Sequence, residues 1–410
     1  MKIRAANGYY LPSCFFMHIS SKEDINEVIH KNEQTFVHEY LHFLQDLIFP
    51  YSIRYTLTEN RKFMYLNLIA QTQGEITRPF NDWDSDTYMT DKQLSYTWGC
   101  NDFIDYAGEI ESIIPSFYTI YTNANVYKYD IKLKGGVTYQ IGARDFLEYI
   151  AHKIESKYWH TNHPEYPYKS VDAVFDYFGF GHISDEVRVC LIEYCMFNDN
   201  PMHSLIVLFK EVVGHHPDKF EHYDICKTFL LNLGWTAVGT GNDTIFTKST
   251  RRLTQLRDSL KKKYANEFGS IRDWVDLVVD YSEKNFANRF IFSEFLLMTN
   301  EQFFNYINKC IRDIGIPLVF NDNDECISLL SERFEQDEFL QLYVAYNFMN
   351  YAMTNQDHCS LYNYCNKNRH SIINSKCLND PISRANEQSL CPMGQFVQKN
   401  DFHLISWNNT

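Results

Sequence analysis

No stretch of the chain approaches the ~18 consecutive apolar residues that a membrane-crossing helix needs, so no membrane-spanning segment is expected. Positive charge is scarce as well: 38 Lys and Arg stand against 52 Asp and Glu, a formal net charge of -14. Phosphate affinity is carried by clustered cations, and this balance excludes a general nucleic-acid binder. The basic run Arg251-Arg252, with Arg257 and Lys261 to Lys263, is expected to be a solvated helix face. There is no CxxC pair. The 11 cysteines are odd in number and dispersed, with Cys190, Cys195 and Cys310 in apolar helical surroundings. That pattern excludes a disulfide framework and predicts reduced thiols. Internal repeats and low-complexity segments are absent. Lys2 and Arg4 precede the apolar stretch Tyr9 to Met17, but Pro12 interrupts it and no small-residue cleavage site follows, so a cytoplasmic location is expected.

What is present is a globular, aromatic-rich composition, 45% hydrophobic and 16% aromatic, in 410 residues that suffice for a large core. Residues 38 to 42 read His-Glu-Tyr-Leu-His. On a helix the two histidines at i and i+4 share one face, so both imidazoles can bind one Zn²⁺ while Glu39 sits beside them as a base. A random chain of this composition yields the pattern only about 0.03 times. Context agrees with a helix: a polar start at Ser20 to Asp24, then apolar residues recurring from Ile25 through Val28, Phe36, Val37, Leu41 and Leu44 to Leu47, with Pro50 ending the run. Glu39 lies among Phe36, Val37, Leu41 and Phe43, where a carboxylate is costly without a metal-activated water or a donor nearby.

Around this helix the pattern predicts an α+β chain. Tyr9 to Ile19 should be extended and Arg61 to Thr72 helical, and Asn81 to Asp91 an acidic loop. That loop lacks the glycine and glutamate of a calcium loop. Two alternating runs, 126–134 and 137–141, flank Gly135-Gly136 and predict a hairpin, followed by a helix from Gly142 to about Tyr158. Asn162 to Lys169 should be irregular, and Asp185 to Phe197 and Pro201 to Val213 helical. Helical patterning continues to Ala352, interrupted by Gly234 to Asp243 and by a short strand at Ile316 to Phe320. The expected division is a core at 1–215 with a small sheet and the active-site helix, a mostly helical region at 216–355, and an irregular Cys-containing cap at 356–410.

A zinc hydrolase takes three protein ligands and leaves a fourth position open. Gln45 and Ile48, three and six residues beyond His42, exclude a metzincin site. The helix after the hairpin is the best source of the third ligand, because Glu148, His152 and Glu155 fall on one face at i, i+4 and i+7. Glu148 is selected: its neighbours Leu147, Tyr149, Ile150 and Ala151 make an unpaired carboxylate expensive to bury. His152 is the next candidate ligand, and His152 and Glu155 are candidate orienting partners. His182, Glu186 and Glu193 form a weaker cluster.

His-Glu-Tyr-Leu-His-Phe-Leu-Gln at 38–45, followed by Ile-Gly-Ala-Arg-Asp-Phe-Leu-Glu-Tyr-Ile-Ala at 141–151, resembles the HExxH zinc metallopeptidases of the gluzincin type, over about residues 10 to 210. The resemblance implies a zincin-like core, hydrolysis of peptide bonds in a protein or peptide substrate, and a glutamate third ligand on a later helix, which falls on Glu148. Such proteins often carry Asp four residues after that glutamate, where this chain has His152, and the interval between His42 and Glu148 is longer than in compact members.

On this reading a zinc-bound water is lowered towards a pKa of ~7, and Glu39 accepts its proton and delivers it to the leaving amine. Tyr139, Tyr168, His152 and His182 are candidate donors to the developing oxyanion. The helical appendage and the acidic stretch point to a selective enzyme, switched by a regulatory protein partner or an internal rearrangement. The competing class is a non-catalytic or regulatory zinc-binding protein whose helical region meets a partner; the intact Glu39 favours the enzyme. His358, Cys359, Cys365, His370, Cys377 and Cys391 gather soft ligands near the C-terminus and are expected to be reduced side chains packing a small cap rather than a second zinc site.

Overall fold

The aromatic run ahead of the motif pairs with itself. Strands β1 (Ile3–Ala5), β2 (Gly8–Leu11) and β3 (Phe16–Ile19) form an antiparallel meander, with Gly8 opposite Ile19 and Leu11 opposite Phe16. This computed structural model describes residues 3–5, 7–104, 109–121, 124–161, 163, 165–233, 244–264, 268–368, 372–388 and 391–409. The periodicity from Ile25 to Leu47 predicts one helix, and the structure has two: α1 (Ile25–Lys31) and α2 (Glu33–Ile48). Asn32 separates them by leaving helical space at φ -124°, ψ 37°, while its side-chain amide donates to the Val28 carbonyl at 2.9 Å. Pro50 does end α2, but it also opens α3 (Pro50–Gln73) at the first helical position, where its missing N–H leaves no bond unmade. Gly74, at φ 72°, closes α3 in the left-handed region and leads into β4 (Glu75–Arg78).

The acidic stretch expected as a loop is largely a helix. Asp84 accepts the Thr87 N–H at 3.0 Å and starts α4 (Ser85–Trp98), in which Asp91 pairs with Lys62 of α3 at 2.7 Å. The strand β5 (Ile110–Tyr121), which no periodicity announced, pairs antiparallel with β6 (Ala124–Leu133), and β6 pairs with β7 (Thr138–Ile141) across the Gly135-Gly136 turn, both glycines at positive φ. Helix α5 (Ala143–Trp159) follows, capped by Asp145, which accepts the Gly142 N–H at 2.9 Å.

Beyond α5 come α6 (Ser170–Tyr177), α7 (Asp185–Met196) and α8 (Pro201–Leu208), the last prolonged by a π turn at Phe209–Val213. The helices α9 (Tyr223–Asn232), α10 (Ile245–Lys263), α11 (Gly269–Asn285), α12 (Ile291–Phe295) and α13 (Asn300–Ile314) lead to β8 (Leu318–Asn321), β9 (Cys326–Ile327) and α14 (Gln336–Met353). The interruption read at Gly234 to Asp243 lies outside the described residues. The basic run on α10 is a solvated face only in part, at the exposed Arg251 and Lys262. Arg252 donates to the Pro50 carbonyl and pairs with Asp199 at 2.7 Å each, Arg257 and Lys261 reach Asp280 and Asp276 of α11, and Lys263 is buried with its ammonium on Asn60.

The short strand near 318 joins the N-terminal sheet. β8 runs parallel to β3, Phe16 opposite Leu318, giving a sheet ordered β1-β2-β3-β8-β9. At the other end, β10 (Ser406–Asn409) runs parallel to β4. Residues from 1–215, 216–355 and 356–410 therefore share sheets and one continuous apolar core that reaches from Tyr10 to Phe402. The class is α+β, mostly helical with small sheets. The C-terminal stretch is more regular than a loose cap, with helices at Tyr362–Asn368, Lys376–Asn379 and Pro392–Lys399. Cys359, Cys365, Cys377 and Cys391 are buried, with no disulfide among the described residues, around one small cavity with Leu361 and Met393; His358 is exposed and His370 lies outside the described residues. Among the described residues no helix is long and apolar enough to cross a membrane.

Candidate metal centre

Helices α2 and α5 pack against each other and turn three side chains into the seam. Each of His38, His42 and Glu148 offers one ligand atom, and these atoms lie within 4.8 Å of one another, an arrangement that could hold a metal ion. His38 Nε2 stands 3.3 Å from Glu148 Oε2, and His42 Nε2 stands 3.6 Å from the same oxygen. All three residues are at most 1% exposed. Glu39, on the same turn of α2, is also fully buried.

The outer contacts fix which ring nitrogens carry hydrogen. His38 Nδ1–H donates to Glu155 Oε2 at 2.9 Å, and His42 Nδ1–H donates to Gln45 Oε1 at 2.8 Å. Both Nδ1 atoms are thereby engaged away from Glu148, and both Nε2 atoms face Glu148 Oε2. Gln45 in turn donates to the Leu147 carbonyl at 3.0 Å, tying the His42 ring to the residue before Glu148. Gln34, one turn before His38, donates to Glu155 Oε1 and to Thr161 at 2.6 Å each. Sequence carries one signal for both glutamines, their spacing four residues before His38 and three after His42 on the histidine face of the helix.

Burial and the neighbouring charges act on the donor set in opposite directions. Burial disfavours the charged form of His38, yet Glu155, Glu148 and Glu39 outweigh it and hold the imidazole well above its ordinary pKa. At His42 burial dominates and pushes the pKa down. Burial alone would raise Glu148, but the two imidazoles overcome it and hold the carboxyl down at about 2. Glu155 is likewise held far below the carboxylate range, against its burial, by His38, His152 and Gln34. The partners that draw Glu148 down are thus imidazoles, with no lysine or arginine among them, and Glu148 Oε1 and His42 Nε2 are buried without a hydrogen-bond partner among the described residues. A cation between them would answer both deficits.

The remaining candidates divide by position. His152 is buried one turn beyond Glu148, and its ring lies 5.3 Å from that of Tyr168, which stands edge-on to His38 at 6.3 Å. Tyr139 is placed at the start of α5 with its hydroxyl donating to Asp145 at 2.8 Å, where Ser170 also donates; it serves the helix cap. His182 is exposed in the turn before α7 and is not brought to the cluster. Glu193 accepts the N–H groups of Phe292 and Ser293 and so caps α12, its burial raising its pKa to about 8, while Glu186 is half-buried on α7. Gly8 of β2 closes the opposite side: a Cβ built there would lie 2.9 Å from Glu39 Oε1 and 2.8 Å from the His18 carbonyl. Compared with known proteins, the chain matches no family model, no curated protein and no solved structure.

Proposed function

We propose that the chain is a zinc-dependent metallopeptidase with a zincin-like core, acting on peptide bonds of a selective protein substrate. The observation that carries this reading is the meeting of His38, His42 and Glu148, with Glu39 on the same helical turn as the two histidines. Zinc on these three ligands would supply a Lewis acid that lowers the pKa of water from 15.7 to about 7 and polarises the scissile carbonyl. Glu39 then takes the proton from the attacking water and passes it to the leaving amine. Glu155 and Gln45 hold the imidazoles in the tautomer that presents Nε2, and Tyr168, against the His38 ring, and His152, against Tyr168, are the candidate groups for steadying the oxyanion.

The site is closed. Gly8 backs onto Glu39, Tyr168 stands against His38, and Glu39 itself is 0% exposed. A substrate reaches it only when a covering element moves, which fits an enzyme switched by a partner or a rearrangement. The same burial favours the second reading, a regulatory zinc-binding protein without turnover. One comparison separates them: new protein termini in cells carrying the wild type against Glu39→Gln, with metal content measured on both proteins. Termini that vanish in the variant while zinc is retained support the peptidase; identical termini sink it in favour of the regulatory protein.

A further inference from the structure

A second group of metal-type ligands lies beside the first. His152 and Glu155 of α5 meet His163, and one ligand atom from each lies within 4.8 Å of the others. His152 is 1% exposed, and the polar contact its ring makes is weak: the Ser156 hydroxyl lies 3.3 Å from both Nδ1 and Nε2 and can serve one nitrogen at a time. Its Nδ1 faces Glu155 Oε2 at 4.0 Å, too far for a hydrogen bond and wide enough for an ion between them. The His163 ring stands 5.2 Å from the His152 ring, and its Nδ1 is 3.5 Å from Glu165 Oε1, a fourth donor within reach. His163 is half-buried, so the group opens to solvent on that side while His152 does not.

We infer that His152, Glu155 and His163 form a second divalent-metal site, suited by its two imidazoles and one carboxylate to zinc. The two clusters share no ligand; they touch where Glu155 accepts the His38 Nδ1–H. An ion there would tie His163 to α5. The Tyr168 ring lies against His163 at 4.6 Å and against both His152 and His38. Occupancy of the second site would therefore set the cover over the first and the orientation of His38. The inference does not depend on peptide hydrolysis.

The test is a count. The chain is stripped with a chelator, dialysed to equilibrium against buffered free Zn²⁺, and the ions per chain are measured by mass spectrometry for the wild type, His163→Ala, Glu148→Gln and the double variant that combines the two. The expected result is that His163→Ala binds one ion fewer than the wild type, and that the double variant loses one more than either single variant. Equal counts in wild type and His163→Ala overturn the second site, wherever the bound ions reside. Should His163→Ala lose its native circular dichroism, His163→Gln takes its place with the same expectation. If Glu148→Gln keeps the wild-type count while His163→Ala loses an ion, the first centre fails and the second stands.

Discussion

Gln45 uses both ends of its amide, accepting from His42 and donating to the backbone of α5 one residue before Glu148. Losing such an orienting contact typically weakens metal binding about 10–100-fold, and Gln45→Ala should show that loss in a competition titration with a chelating dye, while His42 itself is untouched. Glu39→Gln is expected to behave differently: unchanged metal affinity, and hydrolysis of an identified substrate slowed by about 10²–10⁴-fold, as for removal of a general base. At this scale the chemistry-bearing residues are legible because spacing alone sets them on faces: His38 and His42 at i, i+4, and Glu148 at the head of a stripe with His152 and Glu155. The orienting glutamines are harder to see. A neutral amide carries no charge signal, and its role depends on a second helix whose placement sequence does not give.

Element boundaries turn on single residues whose effect is conformational. Asn32 splits one apolar stripe into two helices without breaking its period, and Pro50, a stop by the usual reading, is also a start. Asp84 turns an acidic stretch into a capped helix. The hairpin at Gly135-Gly136 could be read because two positive-φ glycines between alternating runs have few other uses; β5 could not, because its side chains do not alternate cleanly and its partner strand fixes it. Two predictions belong here. Gly8→Ala would drive a methyl into the Glu39 carboxylate and the His18 carbonyl, and such overpacking should destabilise the fold by about 1–3 kcal/mol, read as a lower midpoint in urea. Asp46 of α2 is buried under the Tyr10 hydroxyl of β2, which donates to it at 3.0 Å, and burial raises its pKa from the ordinary 3.8 to about 8. A folded-state pKa above the unfolded one gives stability that is fully present below about pH 4 and is lost as pH rises through about 8. The melting temperature of the wild type should therefore fall between pH 5 and pH 9 more steeply than that of Asp46→Asn; parallel curves would refute the assignment.

The whole molecule is held by pairings that no local pattern predicts. Arg78, at the end of β4, is buried and donates to the carbonyls of Tyr351 at 2.7 Å and Thr354 at 3.1 Å and to Asn409 of β10 at 3.2 Å, with its guanidinium over the Tyr351 ring. Arg78→Met would leave at least two carbonyls unsatisfied at about 1–3 kcal/mol each, and should unfold at a clearly lower denaturant concentration than wild type. In sequence Arg78 is one arginine in a short strand; its importance comes from Tyr351 and Asn409, which only the fold brings to it. The same holds for the basic run on α10, whose ion pairs with Asp199, Asp276 and Asp280 depend on helix packing.

The parallel pairing of β3 with β8 joins Phe16–Ile19 to Leu318–Asn321. The sheet whose β2 backs onto Glu39 is therefore incomplete on the ribosome until Asn321 has been made and released from the exit tunnel. At about 5–20 residues per second the strands beside Glu39 wait on the order of tens of seconds for their neighbour. A nascent chain carries the complete His-Glu-Tyr-Leu-His segment long before it carries the sheet that frames it, so biosynthesis itself separates making these side chains from enclosing them.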